Sequence, residues 1–138
     1  MMHVSAPGKL FLSGEWAVLK VGNPGIVTAV NKRVHCEIEE SDKVSVTIDD
    51  FGIKDLTGTF RDGKFTWDRE LSEQEQKDTN FIRGSIETAL RYLGEWKPFK
   101  LHTWGELSQI TLESGETKKI GFGSSAASAV AVVGAILA

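Results

Sequence analysis

The residues best suited to chemistry stand near the two ends of the chain. "GFGSSAA", Gly121 to Ala127, sets two glycines and two serines ahead of a run of small and apolar residues. Gly121 and Gly123, on either side of Phe122, let a backbone approach a ligand closely. Ser124 and Ser125 offer hydroxyls to a phosphate or a Mg²⁺ ion. Ala126 and Ala127 then open a helix whose N-terminus, with its positive dipole end, would face an anion. The same letters also suit a small-residue entrance to a buried helix, and the segment alone leaves both readings open. Two other phosphate-binding patterns fit poorly. A dinucleotide fingerprint wants a buried strand before its glycines, where "ETKK" stands, and an acidic residue about 20 positions on. A P-loop wants Gly-Lys-Ser/Thr, which is absent.

The second stretch is "SAPGKLFLSGEWAVL", Ser5 to Leu19. Lys9 follows Pro-Gly, a more constrained setting than most lysines have, and Glu15 offers a carboxylate after a second glycine. Ser5 could contact a ligand or form a turn. Lys118 and Lys119 could attract phosphates or simply be solvated. The three histidines, His3, His35 and His102, show no metal-ligand spacing. The single cysteine, Cys36, excludes an internal disulfide and fits a reducing, cytoplasmic setting.

These residues need a scaffold. The chain has 138 residues, 41% of them hydrophobic and 25% charged, with a net charge of −3. That describes one globular domain and excludes disorder, and it supplies no basic footprint for nucleic acid. No leader pattern opens the sequence, and the closing apolar run falls short of the roughly 20 residues a membrane span needs. The run stops without a capping signal, so a continuation beyond Ala138 is expected.

Ile26 to Val30 reads as a buried strand. Val34, Cys36 and Ile38 alternate with polar residues, as do Val44, Val46 and Ile48; "EESDK" between them predicts an antiparallel hairpin. Asp62-Gly63, between Phe60 and Phe65, predicts a tight hairpin turn. Ile82, Ile86, Ala89 and Leu93 recur at helical spacing, with Asp78, Thr79 or Asn80 as the cap and Gly94 as the stop. Phe99 to Trp104 reads as another strand and "ESGET" as a loop. Strands, a helix, more strand, then a glycine loop into a long helix make an α+β fold. In it His35 would face solvent, Cys36 would pack inward, and Asn80 and Trp104 would cap and pack rather than line an adenine pocket.

Taken together, Pro7-Gly8-Lys9, Gly14-Glu15, Ala17-Val18 and Gly121 through Ala127 resemble the GHMP superfamily of small-molecule kinases (galactokinase, homoserine kinase, mevalonate kinase, phosphomevalonate kinase). "GKLFLSGEWAVL…GNPGIVTAVNK" is most similar to the phosphomevalonate kinase branch. Trp16 stands where that pattern has His or Tyr, Phe122 where it has Leu, and Thr117 where many members have Pro. The resemblance implies an α+β domain like the second domain of ribosomal protein S5, with a mixed or antiparallel sheet and helices on one face. It covers residues 1–138 as an ATP-binding N-terminal domain. It implies ATP and Mg²⁺ as cofactors, with the phosphates on Lys119 and the 121–127 loop and the metal on Ser125. Lys9 would be catalytic, and Ser5, Lys9 and Glu15 would contact a small-molecule acceptor, phosphomevalonate or else mevalonate. The family's catalytic base would lie beyond Ala138. A non-catalytic nucleotide-binding half that needs a companion chain, or pairs with itself, is the alternative.

Overall fold

The molecule is seen here as a computed structural model that describes residues 1–106, 109–119 and 121–138, with side chains at 109, 110 and 119 left aside. Its elements run β1 (Met2–Ser13), β2 (Ile26–Glu40), β3 (Ser45–Ile48), β4 (Ile53–Arg61), β5 (Lys64–Trp67), α1 (Glu73–Leu93), β6 (Phe99–Gly105), β7 (Gln109–Thr111), β8 (Thr117–Lys119) and α2 (Ser124–Leu137). Short 3-10 turns occupy Ala17–Leu19 and Asp49–Phe51. Six strands form one sheet in the order β1-β2-β6-β3-β4-β5, and β7 pairs with β8 apart from it. All pairings in the large sheet are antiparallel except β3 with β6.

Period-two alternation sorts the central strands into two faces. Val34 and Cys36 of β2 and Leu101 and Thr103 of β6 turn inward and are buried. His3, Ser5, His35, Glu37, His102 and Trp104 occupy the outward positions of β1, β2 and β6. The inner face carries both helices. From α1 it receives Ile82, Ile86, Ala89 and Leu90, and from α2 Ala127, Ala131, Val132 and Ala135, all buried. Gly134 lets α2 lie close on β1, because a Cβ there would meet Val4 Cγ1 at 3.2 Å. Cys36 packs inward as expected, and burial pushes its thiol up to about 12. Among the described residues no helix is long and apolar enough to cross a membrane.

Two expectations need correction. The hairpin joining 34–38 to 44–48 does not form: β6 enters between β2 and β3, and Ser41 N–H donates to Pro98 O at the corner. Both alternating segments do turn an apolar face to the core, but alternation specifies a face, not a neighbour. Residues 26–30 are strand, continuous with the later segment in the 15-residue β2, yet Ile26 and Val27 are exposed. The loop expected at 113–117 is present, as the turn of the β7–β8 pair, with Gly115 at φ +81°. The Asp62-Gly63 turn forms as expected, with both residues at positive φ and Arg61 paired to Lys64.

Helix α1 begins earlier than Asp78. Ser72 accepts from Glu75 N–H, and the Glu75 carboxylate accepts from Ser72 N–H at 2.9 Å, a complete capping box spelled S-x-x-E. Gly94 closes the helix as expected, at φ +70°. The Glu75 carboxyl is held down to about 2, first by the hydrogen bond from Arg69 at 2.8 Å and then by Ser72 N–H. A carboxyl lowered in the fold contributes stability above its ordinary value, and that contribution is lost as pH falls from about 4.5 through about 2. Thermal melts across that window are expected to fall more steeply for the parent chain than for Glu75→Gln. Parallel pH profiles would refute a role for the ionised cap.

Candidate functional site

A β-bulge between Pro7 and Lys9 shifts the register of β1 against β2 and brings Lys9 to the glycine loop. Lys9 N–H donates to Phe122 O at 2.8 Å. The Lys9 side chain crosses Gly123: a Cβ at that glycine would meet Lys9 Cγ at 3.0 Å and Cε at 3.5 Å. Its ammonium lies 5.0 Å from the centre of the Phe11 ring, on the exposed side of the strand. Two motifs more than a hundred residues apart are therefore stitched together through main chain and side chain.

Gly123 is the N-cap of α2 and takes φ +71°, a left-handed conformation that suits glycine. Ala127 N–H donates to Gly123 O at 3.0 Å, closing the first turn, so Ser124, Ser125 and Ala126 point N–H groups out of the helix. No side chain caps that end and no acidic residue sits in its own first turn, so only Asp50 and Asp78 of neighbouring elements bring negative charge to the groove at that pole. Ser124, Ser125 and Ser128 line a groove of about 170 Å³ with Asp50, Lys77 and Asp78. Phe51 and Phe81 add aromatic walls, and Thr103 lies at its floor. Asp50 accepts from Gly105 N–H at 3.3 Å; burial raises its carboxyl pKa, the Gly105 bond opposes this, and the neighbouring Asp49 charge adds to it.

These donors fit an anionic ligand and its cation: free helix-end N–H groups for phosphate oxygens, and hydroxyls for Mg²⁺, a hard ion that takes few protein ligands beside phosphates. A larger cavity of about 450 Å³ lies at the other end of α2 among Leu90, Leu93, Trp96 and Phe99, where no helix N-terminus points. It is mostly apolar, and Lys97 there is paired with Glu40 at 2.9 Å.

Not every expected residue joins the groove. Gly121 is exposed and Phe122 packs against the core from one side. Ala127 is buried, Ala126 exposed at the helix end. Lys118 is exposed on β8, and the Lys119 side chain and Ile120 lie outside the described residues. Glu15 is exposed in the turn after β1 and, among the described residues, makes no ion pair with Lys9. Gly14 and Gly25 hold that turn closed: a Cβ on Gly14 would sit 2.5 Å from Pro24 O, and one on Gly25 2.6 Å from Val18 Cγ1.

Ser5 belongs to the outer face, where its hydroxyl accepts from Arg33 Nε at 2.8 Å and its carbonyl from Arg33 Nη2 at 3.0 Å. It pins β1 to β2, and this pairing explains the serine without a ligand. Asn80 is exposed beyond the first turn of α1, so it does not cap the helix. Trp104 stands among the outward histidines rather than in the core. Asp50, Phe51, Lys77 and Asp78 were not anticipated. Only the Asp49-Asp50 pair before a Phe-Gly turn hints at them, and nothing local says that this turn meets α2.

No family model matches the chain. It is 32% identical to the phosphomevalonate kinase of Streptomyces sp. (strain CL190), over 96% of this chain and 37% of that protein. It is 29% identical to the mevalonate kinase of Pyrococcus abyssi, over 99% of this chain and 38% of that one. The chain thus spans little more than a third of the length of the curated relatives it matches. Among solved structures, Streptococcus pneumoniae phosphomevalonate kinase in complex with phosphomevalonate and AMPPNP superposes with a TM-score of 0.69 at 27% identity, over 99% of this chain and 36% of that one. The Methanococcus jannaschii mevalonate kinase gives 0.66 at 22% identity, over 98% and 39%, a likeness of fold. The relatives and structural neighbours are GHMP-superfamily kinases, and the chain resembles them in sequence and is folded as their N-terminal domains are.

Proposed function

We propose that residues 1–138 form the ATP-binding N-terminal domain of a small-molecule kinase that phosphorylates phosphomevalonate to its diphosphate in isoprenoid synthesis. The observation that carries this reading is the stitch between Lys9 and the 122–123 loop, which sets a flexible cation beside an uncapped helix N-terminus. Phosphoryl transfer asks a protein mainly for positioning and for charge neutralisation, and these are the two things such a junction offers.

In this reading the N–H groups of Ser124, Ser125 and Ala126 bind phosphate oxygens of ATP, and Gly121 and Gly123 keep the approach open. The Ser125 hydroxyl, with Ser124 beside it, holds Mg²⁺. When bound, that ion neutralises charge on the transferring phosphoryl group. Lys9 reaches the acceptor and the transferred phosphoryl, and Glu15 contacts the acceptor from the turn after β1. Lys118, exposed on β8, adds positive potential on the approach to the loop. Mevalonate is the second acceptor to consider, on the strength of the archaeal relative.

Trp16 and Leu19 are 80% and 75% exposed, and Leu12 is 63% exposed, next to the turn that carries Glu15. Monomers rarely leave so much apolar surface together unless something covers it. We read it as the face toward the part of the kinase that lies outside residues 1–138, or toward a companion or second copy, and the catalytic base is assigned to that part. The cytoplasm is the compartment in which such an enzyme would meet ATP.

The experiment is ADP release with Mg-ATP and phosphomevalonate, mevalonate or no acceptor, using a chain of the relatives' full length that contains these 138 residues. Lys9→Ala is expected to lower acceptor-dependent turnover by about 10²–10³-fold, as loss of a donor aimed at developing charge does. Nucleotide binding should be retained. Turnover with mevalonate alone would reassign the acceptor, and wild-type turnover in Lys9→Ala would remove Lys9 from the mechanism.

A further inference from the structure

We propose that His3 and His35, on the outer face of the sheet, form a two-imidazole binding site for a divalent ion of the zinc and cobalt class. The two histidines come from adjacent antiparallel strands, and His3 Nε2 lies 3.0 Å from His35 Nδ1. Their ring planes are 22° apart and their centres are separated by 5.2 Å. Rings whose nitrogens approach that closely at that centre separation meet edge to edge, so the lone pairs lie in the ring planes and face one another. In the metal-free chain one proton occupies the gap, donated by one ring to the other.

A metal ion can take its place. Two Zn–N bonds of about 2.0–2.1 Å span an N···N distance of about 2.9 Å at a right angle and about 3.4 Å at the tetrahedral angle. The observed 3.0 Å lies inside that range, and each ring must turn by about 35–45° to aim its lone pair at an ion set off the N···N line. No net proton need leave when both rings start neutral: each keeps its single proton on the nitrogen away from the ion. That shift fixes His3 as the Nδ1–H tautomer and His35 as the Nε2–H tautomer.

The surroundings favour a cation. Glu37 sits directly across from His3 in the β1–β2 register and two residues beyond His35, on the same outward face. It supplies negative charge at the neighbouring position. Trp104 is nearly parallel to both rings, 5.2 Å from His35 and 5.6 Å from His3, and flanks the pair from β6. His102 stands across Glu37 on β6 but is engaged elsewhere, its Nε2 2.8 Å from Asp49 Oδ2. Among the described residues no three His, Cys, Asp or Glu side chains are placed to share one ion. The site is therefore a chelating pair completed by water, open to exchange, and unlike a closed structural zinc site. It lies across the sheet from the phosphate groove and does not depend on the kinase reading.

The test is titration of the full 138-residue chain with Zn²⁺, followed by calorimetry and by the imidazole signals in NMR. One equivalent should bind, shifting the signals of His3 and His35 and leaving those of His102 in place. His35→Ala and His3→Ala should each weaken binding by at least the roughly 10–100-fold that loss of even a supporting partner costs a metal site. His102→Ala should keep the parent affinity. His35→Gln, which keeps a polar side chain of similar length, guards against a folding defect and should lose the ion equally. The proposal is overturned if the parent chain takes up no Zn²⁺, or if either His35 variant, with the His3 imidazole intact, binds as the parent does.

Discussion

Replacing Gly123 with alanine is expected to remove two properties at once, the fold of the glycine loop and the seat of Lys9. At φ +71° a side-chain-bearing residue costs about 1–2 kcal/mol, because its Cβ crowds the following carbonyl. The added methyl would also sit 3.0 Å from Lys9 Cγ, tighter than ordinary carbon contacts allow. The lysine stem must therefore move, or the Lys9 N–H···O Phe122 bond must lengthen. Either response moves the Lys9 stem away from the N-terminal end of α2. We expect a melting transition lowered by the equivalent of about 1–2 kcal/mol. Binding of a fluorescent ATP analogue with Mg²⁺ should weaken by more than tenfold, the factor that 1.4 kcal/mol carries. Gly121→Ala is the comparison, since a Cβ there meets nothing within 4 Å. Its melting temperature should stay at the parent value. Equal nucleotide affinity for Gly123→Ala and the parent chain would show that the loop does not hold phosphate.

The second large effect is one of stability and lies at Gly58. Phe65 has no exposed surface, and its ring covers the Gly58 backbone so closely that an added Cβ would lie inside the ring's contact surface, 2.8 Å from both Cε1 and Cε2. The same ring meets Trp67 edge to face at 5.0 Å, and Trp67 is the register partner of Gly58. Glycine here serves not for a positive φ but for the space an aromatic ring needs over the sheet. Gly58→Ala is expected to destabilise by about 1–3 kcal/mol through overpacking, and Phe65→Ala by about 3–5 kcal/mol through the cavity it leaves. Combining Gly58→Ala with Phe65→Leu gives the added methyl room, so the double variant should lose less than the two single changes summed. Denaturant unfolding of the four chains measures that coupling. Strict additivity would mean that the sheet edge relaxes around the methyl and the ring does not fix β4 against β5.

Both glycines show how a residue that sequence marks only as small acquires its meaning from a distant partner. Gly123 was singled out because its neighbours spell a phosphate loop; that its α-carbon lies under Lys9 was not legible. Gly58 attracted no notice inside an ordinary strand. The capping box at Ser72 and Glu75 was in the letters, yet the apolar stripe around Ile82 drew attention to the middle of α1 and away from its polar first turns. The outward histidines read as scattered because their spacing along the chain is wide, while β1, β2 and β6 place them within one patch.

The sequence by itself determined the local grammar. Asp62-Gly63 makes its turn, Gly94 stops α1, Cys36 faces inward, and the 121–127 loop opens a helix. Each of these depends on a few neighbouring residues whose backbone preferences or periodicity act over one or two turns. The two separated motifs also sufficed to suggest the kinase superfamily before any strand was placed. Only the tertiary structure decided that β6 pairs between β2 and β3, that Lys9 docks on Phe122 and Gly123, and that Asp50 and Asp78 share a groove with the serines of α2. Alternation tells a strand which face to bury but not which strand to lie beside, and that choice is made by packing among residues far apart in the chain. The site belongs to that second kind of information, because its groups come from five elements that meet only when the sheet is assembled.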